Sequence, residues 1–250
     1  MSISLVLVAV LVGVLIGAVG IGGILLIPAL NLLAGVPLHT AMATALLTFV
    51  FTGLLGTVLF NRRGSIDWAI TAPVCVGAAA CGMLGAWANA RIDTRVLTMI
   101  LAGVVAAAGV NCLRRGQAGR NPVYAEAPAK RKFLLLGIGA VTGFGSGLTG
   151  VGGPALSIPM MLPFGFSTLA VIGTSQVVQI LAAVSGTVGN LYYGTIDFQL
   201  AGWITLCELA GVLAGVRLVH ALRGDALRKI VGLLCMLVGV ALLVKASASG

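Results

Sequence analysis

The chain has 250 residues, of which 59% are hydrophobic and only 8% charged, and its mean hydropathy is +1.13. A water-soluble domain needs about a quarter of its residues charged to cover its surface, so 6 acidic and 15 basic side chains exclude a soluble fold of this length. The net charge of +9 does not point to nucleic acid, because the basic residues fall in loops between apolar runs, where membrane orientation signals belong.

Long continuous apolar runs indicate helices, since barrel strands alternate apolar and polar residues. In chain order the predicted helices are 3–19, 24–34, 39–60, 68–89 and 96–112, then 133–149, 154–166, 168–191, 198–220 and 227–245. The first run has no basic segment before it and no small-residue cleavage site ahead of Gly13, so it is expected to be a retained helix. Leu113 to Lys132, with two prolines and most of the loop charge, is the expected cytoplasmic linker between repeat one (1–112) and repeat two (133–250). Five cysteines lie mostly inside apolar runs without a CxxC pair, as small core residues do.

The two halves are related by a shift of 130 residues. It places Gly13, Gly17 and Gly20 on Gly143, Gly147 and Gly150, Gly22-Gly23 on Gly152-Gly153, and Thr44 on Thr174. Further along, Gly56-Thr57-Val58 falls on Gly186-Thr187-Val188, and Gly64, Ile66 and Asp67 on Gly194, Ile196 and Asp197. The same motifs in the same order at one offset mark an internal repeat. With Arg62 and Arg63 inside, an odd number of crossings per repeat puts 113–132 and 220–229 inside and both termini outside. Nearly all basic residues then lie inside, as the positive-inside rule expects. The fold expected is an all-α polytopic membrane protein with two inverted-topology repeats.

Two segments interrupt the helical pattern at equivalent places, Gly17–Leu30 and Gly145–Met161. Each has glycines and then an apolar segment too short to cross a hydrocarbon core of about 30 Å at 1.5 Å per residue. They are expected to be broken or re-entrant helices with glycines at membrane depth, a pairing that points to a transporter's central site. Short helices starting just after Gly23 and Gly153 would present free N–H groups and a positive dipole end, an anion site made of backbone. Pro154 suits a first helical position. The alternative is that the glycines only allow close packing; that reading is preferred for Gly13, Gly17, Gly143 and Gly147.

The most polar intramembrane stretch is Gly173 to Gln179. Ser175 and Gln179 share a helix face with Gln176 nearby, and their hydroxyl and amide groups can donate to an anion without burying a full charge. Repeat one offers Thr44 and Thr48 there. Interhelical bonding is the competing role for these groups. Glu208 is the one acidic residue near the middle of a predicted span and suggests either ion coupling, with a carried proton, or a neutral hydrogen-bonded group. Asp67 and Asp197 stand where N-caps are expected. The candidate substrate-binding set is Gly22, Gly23, Ile24, Thr44, Gly152, Gly153, Ala155, Thr174, Ser175, Gln176 and Gln179, with Glu208 for ion coupling.

The two copies of G-x-G-G followed by proline, at Gly20–Gly23 with Pro28 and at Gly150–Gly153 with Pro159, resemble the TauE/SafE family of sulfite exporters and toluenesulfonate uptake permeases. The segment Ala41 to Ala45, the segment Ile172 to Ser175, and the turns at Gly64 and Gly194 fit the same pattern. The resemblance spans nearly the whole chain. It implies an inner-membrane carrier for sulfite, an organosulfonate or a related sulfur-containing or organic anion. Ile24 and Pro154 stand where many members carry a third glycine, a difference that bears on the anion pocket.

Among function classes, a secondary carrier working by alternating access explains repeat, breaks and polar midspan residues together. An anion channel would share the helices but has no need of alternating access, and no charged ring marks one. A non-transporting accessory subunit is the remaining alternative. An enzyme would need a nucleophile, base or metal cluster; His39 and His220 at helix ends form none, and no nucleotide-binding loop is present. The expected partners are a small anion and the lipid bilayer, without nucleic acid, metal or cofactor; association as a homodimer is left open.

Overall fold

The computed structural model describes residues 3–20, 22–113, 127–161 and 164–221, together with Leu233, Met236, Leu237, Val240 and Val244. The predicted helix 227–245, most of the linker and the basic residues from Arg223 onward lie outside the described residues. Among those described there is no strand. The helices are α1 (Ile3–Val19), α2 (Leu26–Leu33), α3 (Leu38–Asn61), α4 (Trp68–Asn89), α5 (Thr94–Leu113), α6 (Pro128–Thr149), α7 (Gly153–Met161), α8 (Thr168–Tyr193) and α9 (Phe198–Ala221). A 3₁₀ turn, Gly22–Leu25, leads into α2.

Several boundaries differ from expectation, and α7 ends at Met161 instead of 166. The first short helix begins as the 3₁₀ turn at Gly22 instead of after Gly23, so Gly23 is inside it. The helix of repeat two begins at Pro128, five residues before 133, because proline is suited to the first helical turn, where its missing N–H is no loss. Residues 128–132 therefore belong to α6 and not to the linker.

Among the described residues five helices, α3, α4, α6, α8 and α9, are long and apolar enough to cross a bilayer. Large apolar side chains such as Leu7, Val76, Leu84, Phe133 and Leu206 face outward, which suits a hydrocarbon solvent. Trp68 and Trp87 stand exposed at the two ends of α4, the usual levels of an interfacial aromatic belt.

Glycine seams position the halves. α4 packs on α6, and α1 on α9. A Cβ on Gly143 would strike the backbone of Ala78, and one on Gly147 the backbone of Gly82. In the other seam, Gly13 lies against the backbone of Glu208 and Gly17 against that of Val212. Adding 130 to Gly13 and subtracting it from Glu208 converts the first of these contacts into Gly143 on Ala78, and the second pair converts the same way. The two seams are thus the same contact with the halves exchanged, and in both the paired helices run parallel. Side-chain-free approach is what lets the backbones meet.

The equivalent helices α3 and α8 instead run antiparallel: Leu46 lies by Gly186, Gly53 by Ile180 and Gly56 by Gln176. Their following turns sit at opposite ends of the bundle. At one end Ser65 O lies against Gly173, and Arg63 Nη1 donates to Val216 O at 3.0 Å. At the other, Thr40 and Thr195 hydroxyls are 2.8 Å apart, and His39 reaches Asn89 and Thr94 at 3.1 Å each.

Candidate functional site

The two glycine breaks meet where α3 crosses α8. Gly150 ends α6 in the left-handed conformation (φ 68°), against Met42 near the start of α3. Gly152, also left-handed (φ 85°), lies against the ring of Phe49, and Gly153 against the backbone of Gln179. From the other half, Gly23 lies against the same ring, with its built Cβ 2.6 Å from Phe49 Cζ. Phe49, 1% exposed, therefore fills the space between the two breaks. Phe49 and Gln179 are themselves equivalent under the 130-residue shift.

From this crossing the short helices leave in opposite directions. α2 runs to the four-residue link before α3, where Asn31 Nδ2 donates to Val36 O at 2.9 Å. α7 runs toward the start of α8, with Ile158 beside Gly20. The nine residues of α7 span about 13 Å, less than half a hydrocarbon core. The first N–H groups of an α-helix have no intrahelical acceptor, and the dipole makes that end positive. Gly153, the first residue of α7, lies against the Gln179 backbone, and Gly23, in the 3₁₀ turn leading into α2, against the Phe49 ring.

The polar residues around them are buried, and most of their donors are already engaged. Gln179 Nε2 donates to Phe49 O at 3.0 Å and to Thr52 Oγ1 at 2.9 Å, holding α8 to α3. Ser175 Oγ donates to Ile172 O at 2.7 Å. Thr71 gives its hydroxyl proton to Asp67 O, so the Thr174 hydroxyl, 2.8 Å from it, must be the donor between them. Thr44 Oγ1 accepts from Asp197 N at 3.1 Å, the equivalent tie at the opposite end of the bundle. Thr44 and Thr174 thus brace helix ends and stand away from the crossing.

Gln176 is different. Its Nε2 donates to Ile16 O at 3.3 Å, while Oε1 has no partner among the described residues and is pressed against Gly56. With Ser175, it also borders Gly20. Ile24 and Ala155 are buried beside the breaks and contribute backbone only. Glu208 is wholly buried in α9, against α1, with neither carboxyl oxygen hydrogen-bonded to a described residue. Asp67 caps α4 by accepting from Ala69 N at 2.9 Å, and Asp197 accepts from Leu200 N at 2.9 Å.

The residues that bring the candidate set together include three that its polar pattern does not single out: Phe49, Thr52 and Gly56. The repeat shift held the signal, since it pairs Phe49 with Gln179. A surface cavity of about 600 Å³ lined by Val6, Asp197, Gln199, Leu200 and Trp203 opens at the N-terminal end of α9, not at the breaks. No group of three metal-ligating side chains occurs among the described residues.

Residues 5–242 match the family described as sulfite exporter TauE/SafE. The chain is 28% identical over 248 residues to "Probable membrane transporter protein YdhB" of Bacillus subtilis (strain 168), covering 96% of this chain and 99% of that one. It is 26% identical to "Probable membrane transporter protein YjnA" of the same organism, over 87% of this chain and 90% of that one. A third relative, "Probable membrane transporter protein" of Haemophilus influenzae, is 25% identical over 79% of this chain and 73% of its own length. No solved structure matches. The chain belongs to the TauE/SafE family, a family of membrane transporters.

Proposed function

We propose that this member of the TauE/SafE family is a secondary carrier that exports a small anion, sulfite or an organosulfonate, by alternating access. The observation that carries the reading is the convergence of the 3₁₀ turn leading into α2 and the start of α7, from opposite directions, on Phe49 and Gln179. Paired broken helices at a repeat interface are how carriers hold ions at mid-membrane without a buried countercharge. α3 and α8 carry no Lys or Arg, so an anion there is held by backbone N–H groups, by the free amide hydrogen of Gln176 and by helix dipoles. Phe49 occupies that place in the described state, and turning its ring aside makes room.

The antiparallel course of α3 and α8 supports inverted topology, with the turn at Arg62 cytoplasmic and the turn at Tyr192 outside. Both termini are then outside, in the inner membrane. Halves 1–112 and 133–250 rock on each other along the α3–α8 crossing, exposing the site to either side in turn.

Thermal unfolding of the purified chain with sulfite, sulfate, thiosulfate, taurine, sulfoacetate or simple carboxylates tests this. A ligand at a hundred times its Kd stabilises by about 2.7 kcal/mol, a shift of several degrees for a protein of this size. Selective stabilisation by sulfite or a sulfonate is expected, and its loss in Gly153→Ala, whose Cβ would sit 3.1 Å from Gln179 N, places the ligand at the break. A well-folded protein stabilised by none of these anions would sink the assignment.

A further inference from the structure

Glu208 has no role in the anion site just described, yet it lies wholly buried in α9 with both carboxyl oxygens lacking a hydrogen bond to any described residue. Among the described residues α9 packs chiefly on α1 and α3, and the turn after α3 reaches it through Arg63, whose Nη1 donates to Val216 O about two turns beyond Glu208. α1 has no titratable side chain between Ile3 and Val19. The one titratable residue of α3 is His39, in its first turn and bonded to Asn89 and Thr94. On α9 itself stand Cys207 alongside and, more than two turns further, Arg217 and His220. A carboxylate at this position has no countercharge among the described residues, and an unpaired buried charge is strongly disfavoured.

A buried polar side chain beside Glu208 is Thr48 of α3, not hydrogen-bonded to it in this structure. A hydroxyl has one proton, and Thr48 gives it to Ala45 O at 3.0 Å. Toward Glu208 it therefore turns lone pairs. A carboxylate would face an acceptor across this gap, whereas a carboxylic acid has a proton to donate. Under the repeat shift the pair Glu208 and Thr48 becomes Ala78 and Val178, so only one half carries it. Thr48 also immediately precedes Phe49, whose ring fills the space between the breaks.

We propose that Glu208 carries one proton per transport cycle and that Thr48 is its positioning residue, linking that proton to Phe49. The inference rests on the carrier reading above. In the described state the acid lies beside Thr48 with no hydrogen bond made; turning its O–H to Thr48 Oγ1 makes one. When the halves move and water reaches α9, the proton passes to water as hydronium and leaves a carboxylate. Thr48 then turns its hydroxyl from Ala45 O to donate to the carboxylate, and water on the opposite side returns a proton to restore the acid. Because Thr48 and Phe49 are consecutive on one helix, displacing the ring for an anion disturbs the partner of the proton site.

Two measurements on the full-length protein decide it. Infrared difference spectra of the protein in lipid nanodiscs, wild type minus Glu208→Gln, are expected to show a protonated carboxyl C=O band at neutral pH. A carboxylate band in its place overturns the proposal without any substrate being present. In reconstituted vesicles with radiolabelled sulfite as probe, wild type is expected to exchange sulfite and to accumulate it when a pH gradient is imposed. Glu208→Gln should keep exchange and lose the response to the gradient. Thr48→Val should displace the pH profile of exchange, and Thr48→Ser should restore it, a pattern that mere loss of packing would not produce. Gradient-independent accumulation by wild type, or a sodium gradient acting instead, overturns the proton assignment. Absence of sulfite exchange in wild type and variant alike overturns the anion reading and the coupling inference with it, leaving the infrared result to report the carboxyl alone.

Discussion

Alanine substitutions along α6 separate close helix packing from ordinary helix propensity within one element. A Cβ on Gly143 would lie 2.6 Å from Ala78 Cα and 2.7 Å from its carbonyl carbon. Ordinary contact begins near 3.4 Å, and the Ala78 carbonyl oxygen is nearer to the built Cβ than either carbon, so α4 and α6 must part locally by more than about 0.8 Å. Backbone cannot swing aside as a side-chain tip does, and overpacking of this kind costs about 1–3 kcal/mol. Gly137, six residues earlier in the same helix, has nothing within 4 Å of the built Cβ. There alanine gains roughly 0.5–1 kcal/mol from helix propensity. Thermal unfolding in one detergent should therefore move in opposite directions for Gly143→Ala and Gly137→Ala, with the gap between them about 3–16 °C at roughly 2–4 °C per kcal/mol. Gly13→Ala, which meets Glu208 as Gly143 meets Ala78, should fall with Gly143→Ala. Equal behaviour of Gly143→Ala and Gly137→Ala would refute the seam, and a neutral Gly13→Ala would refute its exchange between the halves.

Other changes test single contacts. Gln179→Leu removes both donors holding α8 to α3 and leaves Phe49 O and Thr52 short of a partner; a loss of about 1–3 kcal/mol in thermal unfolding is expected, along with lost anion stabilisation. Asn89→Leu frees the Leu148 carbonyl at the end of α6, bonded at 2.6 Å, and should cost a similar amount, measured the same way. Asp67→Ala removes the α4 cap and should cost about 1 kcal/mol, whereas Asp67→Asn should cost little. Single cysteines at Arg62 and Tyr192, in a background freed of native cysteines, should be labelled by an impermeant maleimide from opposite sides of oriented vesicles; labelling from one side would refute inverted topology.

Much of this architecture is legible in the sequence because hydrophobic periodicity and glycine placement are local signals. Nearly every helix lies within a few residues of its expected span, and the repeat offset of 130 reappears as the exchange of Gly13 on Glu208 for Gly143 on Ala78. The polar site was less legible. Thr174 and Ser175 look like ligand donors in a string of letters, but their protons go to Thr71 and to Ile172 O. Which acceptor a hydroxyl finds depends on a helix a hundred residues away, and no local pattern encodes it. Phe49 went unmarked for the opposite reason: an aromatic in an apolar run looks like core until its ring is seen between Gly23 and Gly152.

The asymmetry between the halves bears on mechanism more than their likeness does. A carrier of two identical halves would have no built-in difference between its inward and outward states, since exchanging the halves would exchange the states. Here Phe49 stands opposite Gln179, Leu46 opposite Gln176, and Glu208 opposite Ala78. Repeat two also buries the hydroxyls of Thr142, Ser146 and Ser157 without partners among the described residues, where repeat one has Val12, Ile16 and Ile27. Each buried unsatisfied hydroxyl costs about 1–3 kcal/mol, so conformations that hydrate these groups gain relative to the packed one. A double exchange, Phe49→Gln with Gln179→Phe, moves the ring to the other half while conserving composition. If the asymmetry sets the resting state, the exchange should shift maleimide labelling of cysteines placed beside Gly20 and beside Gly150 in opposite senses. Unchanged labelling at both positions would show that the resting state is set elsewhere, and the buried hydroxyls of α6 and α7 would be the next residues to exchange.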